Sequence, residues 1–194
     1  MSHELRSITD KELSEILHKH LLWLRNQPGG ERGDLSHCDL SMRNFSFRSL
    51  VGINLSFSDL SRTRFQYTDL RLAELQFANF KDSNLYLANM SYSDCSGTVF
   101  DGCNLKNSVC ISTTFDYALF RRANLKHACF DSATLIEADL TKANLNYASF
   151  DSATLRNADL TGANLTHTKV TLKQLREVAF EGSVAFGKRV LPDS

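Results

Sequence analysis

The chain has 194 residues, a length that fits one domain with small terminal additions. Its hydrophobic content of 42% is enough to build a core, which excludes a wholly disordered chain. Lysine plus arginine and aspartate plus glutamate each number 22, so no net charge favours binding to nucleic acid or imitation of it.

The sequence carries no signal for export or for a membrane. Its first stretch, MSHELRSITDKELSEIL, has no continuous apolar core, and no run of about 18 apolar residues occurs. We therefore expect a cytoplasmic protein without a membrane partner. The cysteines are odd in number and lack CxxC spacing, which favours free thiols over disulfides or zinc ligands; they are Cys38, Cys95, Cys103, Cys110 and Cys129.

Residues 1–33 are predicted to form an N-terminal helical cap and linker. The stretch Thr9-Asp10-Lys11-Glu12 has the pattern of a capping box. The turn sequence Pro28-Gly29-Gly30 is expected to end the helix that follows. Between these two signals, apolar residues stand at helical spacing: Leu13, Ile16, Leu17, Leu21 and Leu24.

Residues 34–170 repeat with a period of five. Every fifth residue from Leu35 to Val170 is counted here as the centre of a pentapeptide. The 28 centres comprise 16 Leu, 8 Phe, two Cys, one Met and one Val. A small residue prevails two places before the centre, and Asp or Asn directly precedes it in 16 of the 28 pentapeptides.

This spacing predicts an extended chain that turns after each centre. The small residue and the centre are two apart, so both point to one side of an extended segment, and the residue between them points outward. A helix does not fit, because its apolar face would rotate out of register within two turns. Four pentapeptides would close a square coil of 20 residues, which explains why FDSATL occurs at 130–135 and again at 150–155.

The square coil leads to two expectations about its interior. Phenylalanines 20 residues apart should stack as one ladder of rings, namely Phe80, Phe100 and Phe120. We also expect a distorted coil near residues 43–53, because large side chains replace the small residue two places before the centre: Arg43, Arg48 and Ile53.

The pentapeptides resemble a known repeat. RRANL (121–125), ADLTKANL (138–145) and ADLTGANL (158–165) resemble the A(D/N)LXX motif of the pentapeptide-repeat family. The resemblance covers about 140 of the 194 residues. It implies an all-β solenoid, a right-handed quadrilateral β-helix of about seven coils, which at about 4.8 Å per stacked strand would be roughly 34 Å long. Some members of the family protect DNA gyrase by imitating DNA, and some are secreted bacterial effectors.

Residues 171–194 are predicted to form a C-terminal helical cap and tail. The stretch Thr171-Leu172-Lys173-Gln174 has a second capping-box pattern. Leu175, Val178 and Ala179 follow it. A solenoid needs caps at both ends, because its terminal coils expose strand edges and core.

The sequence contains no recognisable catalytic machinery. It lacks the GxGxxG, P-loop, HExxH and GxSxG patterns. His18 and His20 are two apart on the predicted helix and so face different ways. His127 and His167 occupy equivalent positions in coils that are stacked on one another, but they are two coils, or roughly 10 Å, apart, which is too far for one metal ion. We therefore predict a protein that is not an enzyme and has no cofactor, metal or small-molecule substrate.

The second residue after the centre should project outward at a corner of the coil. In the N-terminal half, this position carries Phe47, Phe57, Tyr67, Leu72, Phe77, Leu87 and Tyr92. An apolar surface of this extent usually marks a contact. From two neighbouring corner columns we predict a protein-binding strip made of Phe47, Tyr67, Leu72, Leu87 and Tyr92. The rival interpretations are that the rings only stack on one another, or that residues 1–30 fold back over them.

These features predict a protein-binding scaffold whose partner the sequence does not identify, with a homodimer as an open alternative and no nucleic-acid partner. The family resemblance supplies two other functions. The first is a DNA-mimicking protein that protects gyrase and gives quinolone or toxin resistance. The second is a secreted bacterial effector.

Overall fold

The computed structural model describes residues 4–179 and 185–186, so most of the predicted C-terminal tail lies outside the described residues. None of the helices in these residues is long and apolar enough to cross a membrane. The regular elements, in chain order, are β1 (Arg6–Ser7), α1 (Asp10–Leu24), β2 (Cys38–Asp39), β3 (Asn164–Leu165), α2 (Leu172–Arg176) and β4 (Ala185–Phe186).

The repeat region is a ladder of parallel bridges between residues 20 apart. The bridges run from Asp34↔Asn54 to Asp159↔Ala179. The N–H of a centre donates to the carbonyl oxygen 19 residues later, as from Phe45 to Arg64 with an N···O distance of 2.8 Å. Most bridges involve a single residue on each side, because the chain turns again directly after each centre. This ladder is the 20-residue coil that the sequence predicts.

The centres fill the interior. All 28 are buried, with exposed fractions of at most 3%. The predicted ladder of rings is confirmed: Phe100 stacks on Phe80 at a centroid distance of 5.3 Å and on Phe120 at 5.0 Å. Burying each Leu or Phe side chain contributes about 1.5–3 kcal/mol to folding, so the series of centres is the main source of stability.

The Asp and Asn residues that precede the centres also stabilise the turns at the corners of the coil. Each of the 16 accepts a hydrogen bond at Oδ1 from the backbone N–H two residues later, at 2.8–3.3 Å. Asp59, for example, accepts from the N–H of Ser61 at 2.9 Å. Such a short polar side chain satisfies a turn N–H that the ladder does not use. This task explains why the position is Asp or Asn rather than any polar residue.

The expected distortion near residues 43–53 is wrong. The ladder hydrogen bond from Leu50 to Asp69 is an ordinary 2.7 Å. Arg43 lies at the open end of the first coil, so its guanidinium turns towards the N-terminal segment, where it donates to the carbonyl oxygen of Ile8 at 2.7 Å. It also pairs with the carboxylate of Asp10. Arg48 is exposed at the same end.

Ile53, the third large residue two places before a centre, fits into the interior for a different reason. Ile53 is fully buried. The residue 20 places before it is Gly33, and a Cβ at that glycine would lie 3.3 Å from Cγ1 of Ile53. The absence of a side chain at Gly33 therefore leaves the volume that Ile53 occupies.

The two predicted capping boxes differ in the structure. Thr171 and Gln174 form a complete box at the start of α2, with each side chain accepting from the other residue's backbone N–H. At the start of α1, the hydroxyl of Thr9 accepts from the N–H of Glu12 at 3.2 Å. The Glu12 carboxylate does not complete the box, because it pairs with the guanidinium of Arg6. A charged partner is preferred there to a backbone N–H.

Both terminal segments contact the ends of the ladder. β1 pairs in parallel with β2, and β4 pairs in parallel with β3. On α1, the buried His20 accepts a hydrogen bond at Nδ1 from the N–H of Gly33, at 3.0 Å. On α2, the side-chain amide of Gln174 donates to the carbonyl oxygens of Phe150 and Ala153, at 2.7 and 2.8 Å.

His20 leads to a prediction about pH. Burial, followed by the charge of Arg32, lowers the pKa of His20 below its ordinary value. The fold therefore favours the neutral imidazole, whose Nδ1 can accept from Gly33. Stability should be full above about pH 6.5 and should decline as the pH falls through the lowered pKa of His20. Thermal melting at about pH 7.5 and about pH 5.5 measures this decline.

The variant His20→Asn keeps an acceptor near the position of Nδ1 but does not titrate. We expect its melting temperature to change less between the two pH values than that of the native chain. An equal change in both proteins would show that other groups cause the pH dependence.

Candidate protein-binding surface

The corners of the coils have an unusual backbone conformation. The second residue after each centre, from His37 to His167, has a positive φ, with values of 53–62° for the residues other than glycine. β-Branched residues are strained in this left-handed region, and none occurs at these 27 positions. The corner geometry therefore admits Phe, Tyr and Leu but excludes Val, Ile and Thr.

The five residues of the predicted strip all project into solvent. Their exposed fractions are 76% for Phe47, 49% for Tyr67, 59% for Leu72, 37% for Leu87 and 60% for Tyr92. Phe47 and Tyr67 stack on each other at a centroid distance of 4.9 Å. The ladder places Leu87 next in this column, one coil beyond Tyr67, and places Leu72 and Tyr92 one corner further round, one coil apart.

The N-terminal residues that the structure describes do not cover this strip. Helix α1 contacts the first coil instead, through the bond between His20 and Gly33 and through Leu13 and Leu17, which are buried. Trp23 lies beside the corner at Gly52, near the start of the column that continues with Leu72. Stacking within the strip joins Phe47 to Tyr67, yet these two side chains remain 76% and 49% exposed.

The structure exposes further apolar corners outside the predicted strip. Phe57 and Phe77, on a third column, are 45% and 58% exposed and stack at 5.1 Å. Tyr147 is 49% exposed and stacks between His127 and His167, at 4.9 and 4.6 Å. The five-residue period marks all of these as corner residues, and their aromatic character was the available signal. The prediction omitted them because it was limited to two columns in the N-terminal half.

An open groove joins the strip to the flat side of the coils. It has a volume of about 490 Å³ and is lined by Phe47 and Tyr67 together with polar residues that include Asn44, Arg64 and Asn84. Because the groove is open and runs along a rod, it suits contact with an extended partner and does not enclose a small molecule.

The buried cysteines are not poised for chemistry. Burial raises the pKa of Cys103 to about 12, and it does the same for Cys110. Burial also raises the pKa of Cys95. A thiol with so high a pKa stays protonated and is a poor nucleophile. Within residues 4–179, the structure contains no group of three or more His, Cys, Asp or Glu side chains that could hold a metal ion.

Comparison with known proteins identifies the family of this chain. No curated protein sequence matches the chain significantly. Among solved structures, HetL, a pentapeptide repeat protein involved in heterocyst differentiation regulation from the cyanobacterium Nostoc sp. strain PCC 7120, is 25% identical, with 71% of this chain and 81% of HetL covered and a TM-score of 0.40. A trypsin-treated form of QnrB1, a plasmid-mediated fluoroquinolone resistance protein, is 17% identical, with 75% and 77% covered and a TM-score of 0.50.

The likeness to QnrB1 at this identity concerns the fold alone. The sequence match is more direct: residues 44–76, 69–107, 103–141 and 133–171 fit the family model of pentapeptide repeats, in eight copies. The chain therefore belongs to the pentapeptide-repeat family, whose members form right-handed quadrilateral β-helices.

Proposed function

We propose that this chain is a non-enzymatic scaffold that binds another protein through the strip of Phe47, Tyr67, Leu72, Leu87 and Tyr92. The observation that carries the proposal is the exposure of these five large side chains on two neighbouring corner columns. Aromatic side chains dominate the energetic centres of protein interfaces, because they bury a large area at a small cost in entropy. A soluble monomer rarely exposes so contiguous an apolar surface without a use for it.

The proposed architecture follows from the same ladder. Residues 34–170 form about seven coils of β-helix, residues 1–33 form the N-terminal cap and linker, and residues 171–194 form the C-terminal cap and tail. Support comes from the contact of α1 with the first coil and of α2 with the last. In this arrangement the caps protect the open strand edges, and the sides of the rod remain available to a partner.

The strip is tested by the double substitution Tyr67→Ser and Tyr92→Ser. Each lost ring removes about 1.5–3 kcal/mol of burial from the interface, so partner binding should weaken at least tenfold. The immobilised native chain would capture partners from an extract of the source organism, and quantitative mass spectrometry would compare them with those held by the double variant. Sedimentation of the chain alone would test the homodimer in the same way.

Phe77→Ser combined with Tyr117→Ser is the matched control. Both side chains are 58% exposed on the third corner column, outside the strip and away from its two columns, so a similar loss of two rings is made at a different location. Both double variants should keep the melting temperature of the native chain. Equal loss of partners in the two variants, or loss of neither partners nor self-association, would refute the strip as the binding site.

Gyrase protection is the alternative, and the charge pattern does not favour it. A DNA mimic needs a sustained acidic face in order to compete for a site that holds phosphates. The most acidic row of the ladder is interrupted midway, where three uncharged residues separate Asp59 from Asp139, namely Asn79, Val99 and Leu119. We expect that the purified chain at about 10 μM does not restore supercoiling by gyrase in the presence of a quinolone. Restored supercoiling would contradict the scaffold proposal.

A further inference from the structure

The neutral formal charge of the chain hides a one-sided distribution. We define the basic face as residues 42–47 and their equivalents in each later coil, up to residues 162–167; the centres and the small residues within these stretches point inward. Its outward positions carry six cations and one acid, Asp82, a formal net charge of +5. The rest of residues 34–170 carries seven cations and 13 acids, a net charge of −6. The six cations are Arg62, Arg64, Lys106, Arg122, Lys126 and Lys142.

These six cations are not neutralised by neighbouring acids. In the described part of the chain, none of them forms a side-chain hydrogen bond or ion pair, although cations elsewhere on the coils do. Arg71 pairs with Asp69, and Arg121 pairs with Asp101. Unpaired charges of one sign along one side of a rod produce a potential that attracts an anionic partner.

The choice between Asn and Asp supports the same conclusion. Either residue can accept the corner N–H, and the other three sides of the coil use seven Asp and three Asn for this task. The basic face uses Asn alone, at Asn44, Asn84, Asn104, Asn124, Asn144 and Asn164. The fold requires only the oxygen acceptor, so the consistent use of Asn serves to keep negative charge off this side.

The amide orientation adds hydrogen-bond donors. In all six asparagines, Oδ1 accepts from the backbone N–H two residues later. That bond fixes which way each amide points and leaves Nδ2 as its donor. Two of these amides donate to the next asparagine along the row, from Asn104 to Asn84 and from Asn124 to Asn104. The face therefore combines unpaired cations with amide N–H groups, which together suit carboxylates.

We propose that the partner is a protein segment rich in Asp and Glu, which lies along the basic face with its apolar side chains against Phe47, Tyr67 and Leu87. This inference rests on the proposed function, because those three residues form one edge of the face. The groove of about 490 Å³ is lined by Phe47 and Tyr67 and also by asparagines of the row, so one ligand can contact both.

An acidic protein fits this face better than a nucleic acid does. Single strands bind proteins by stacking their bases on exposed aromatic rings. The rings along this edge already stack on one another, at 4.9 Å for Phe47 with Tyr67 and at 4.6 Å for Tyr147 with His167. Such a spacing leaves no slot for a base. The apolar edge would also contact nothing apolar on a phosphate backbone.

The test uses a fluorescein-labelled peptide of about 12 residues, with Glu at two-thirds of the positions and Leu at the others, in about 50 mM salt, where charge attraction is weakly screened. Fluorescence anisotropy would compare the native chain with the triple variant Arg64→Glu, Lys106→Glu and Lys126→Glu. The matched control is Arg48→Glu, Arg156→Glu and Lys169→Glu, which makes the same change in total charge at exposed positions on the other sides. We expect the first triple variant to bind the peptide at least tenfold more weakly and the control at most twofold more weakly.

Further experiments distinguish an acidic protein from other ligands that could bind the basic face. A DNA duplex of about 20 base pairs that binds more tightly than the peptide would overturn the inference in favour of nucleic acid, and vesicles rich in phosphatidylserine would do so in favour of a membrane. Concentration-dependent sedimentation that displaces the peptide would identify a second copy as the occupant. Equal weakening in the two triple variants, or no binding of the native chain, would also overturn it.

The strip and the basic face can fail separately. If the triple variant loses the peptide while Tyr67→Ser has no effect, the acidic partner stands and the strip is wrong. If Tyr67→Ser weakens binding and the triple variant does not, the strip stands and the acidic partner is wrong.

Discussion

Replacing Phe100 by alanine is expected to lower the free energy of unfolding by about 3–5 kcal/mol, the usual cost of truncating a core phenylalanine. Phe100 is fully buried and stacks between Phe80 and Phe120. It also meets Phe115 edge to face at 5.9 Å. The coil cannot collapse around the lost ring, because the backbone ladder fixes the spacing of the neighbouring rings. Denaturation with urea would measure the loss.

Lys106→Ala is the control for this prediction. Lys106 stands directly after the next centre and has no side-chain partner within the described residues, so its loss should change stability by no more than about 0.5 kcal/mol. Asp101 is a poorer control although it directly follows Phe100, because its carboxylate accepts from both the backbone and the guanidinium of Arg121. Similar losses for Phe100→Ala and Lys106→Ala would show that the five-residue register is wrong.

The second large effect is expected from Ala143→Arg. Ala143 is 1% exposed and stands in the same inward column as Arg43, five coils further along. At Arg43 the open end of the rod lets the side chain leave towards Asp10. At Ala143 the coils on both sides close that path, so the guanidinium would be buried without a partner, which costs about 3–5 kcal/mol.

Urea denaturation would again measure this effect, with Lys142→Arg as its control. Lys142 stands at the adjacent corner and is exposed, so the same new side chain should be tolerated there. If Ala143→Arg unfolds at the same urea concentration as the control, an arginine side chain in the middle of the rod can reach solvent with its guanidinium. Our explanation of the regular first coil would then be incorrect.

The sequence was sufficient to predict the register of the coils, because that register depends on packing. A large apolar centre and a small residue two places before it have only one arrangement in a narrow square, and the 28 buried centres follow it. The positive φ at the corners was not predicted, although a signal was present. The lack of any Val, Ile or Thr at 27 corner positions is what this conformation requires.

Features that depend on three-dimensional neighbours could not be predicted in the same way. Arg43 was expected to distort its coil, because the sequence does not show that its side chain can reach Asp10 past the open end. Glu12 has the spacing for a capping box, but Arg6 competes for it. The basic face was missed because a net charge of zero sums over all four sides of the rod. The five-residue period assigns each charge to one side of the coil, so the signal was present in the sequence, whereas the absence of ion pairs between these cations and other described residues is seen only in the structure.

Hydroxyl-radical footprinting of the isolated protein, read by mass spectrometry, tests most directly whether the strip is a free surface. We expect rapid oxidation of Phe47, Tyr67 and Tyr92 and at least tenfold slower oxidation of Phe80, Phe100 and Phe120, because the first three rings are exposed and the last three are fully buried. Protection of Tyr67 and Tyr92 to the level of the interior rings, at a concentration where sedimentation shows a monomer, would mean that the chain itself covers the strip, and the proposed binding surface would not exist.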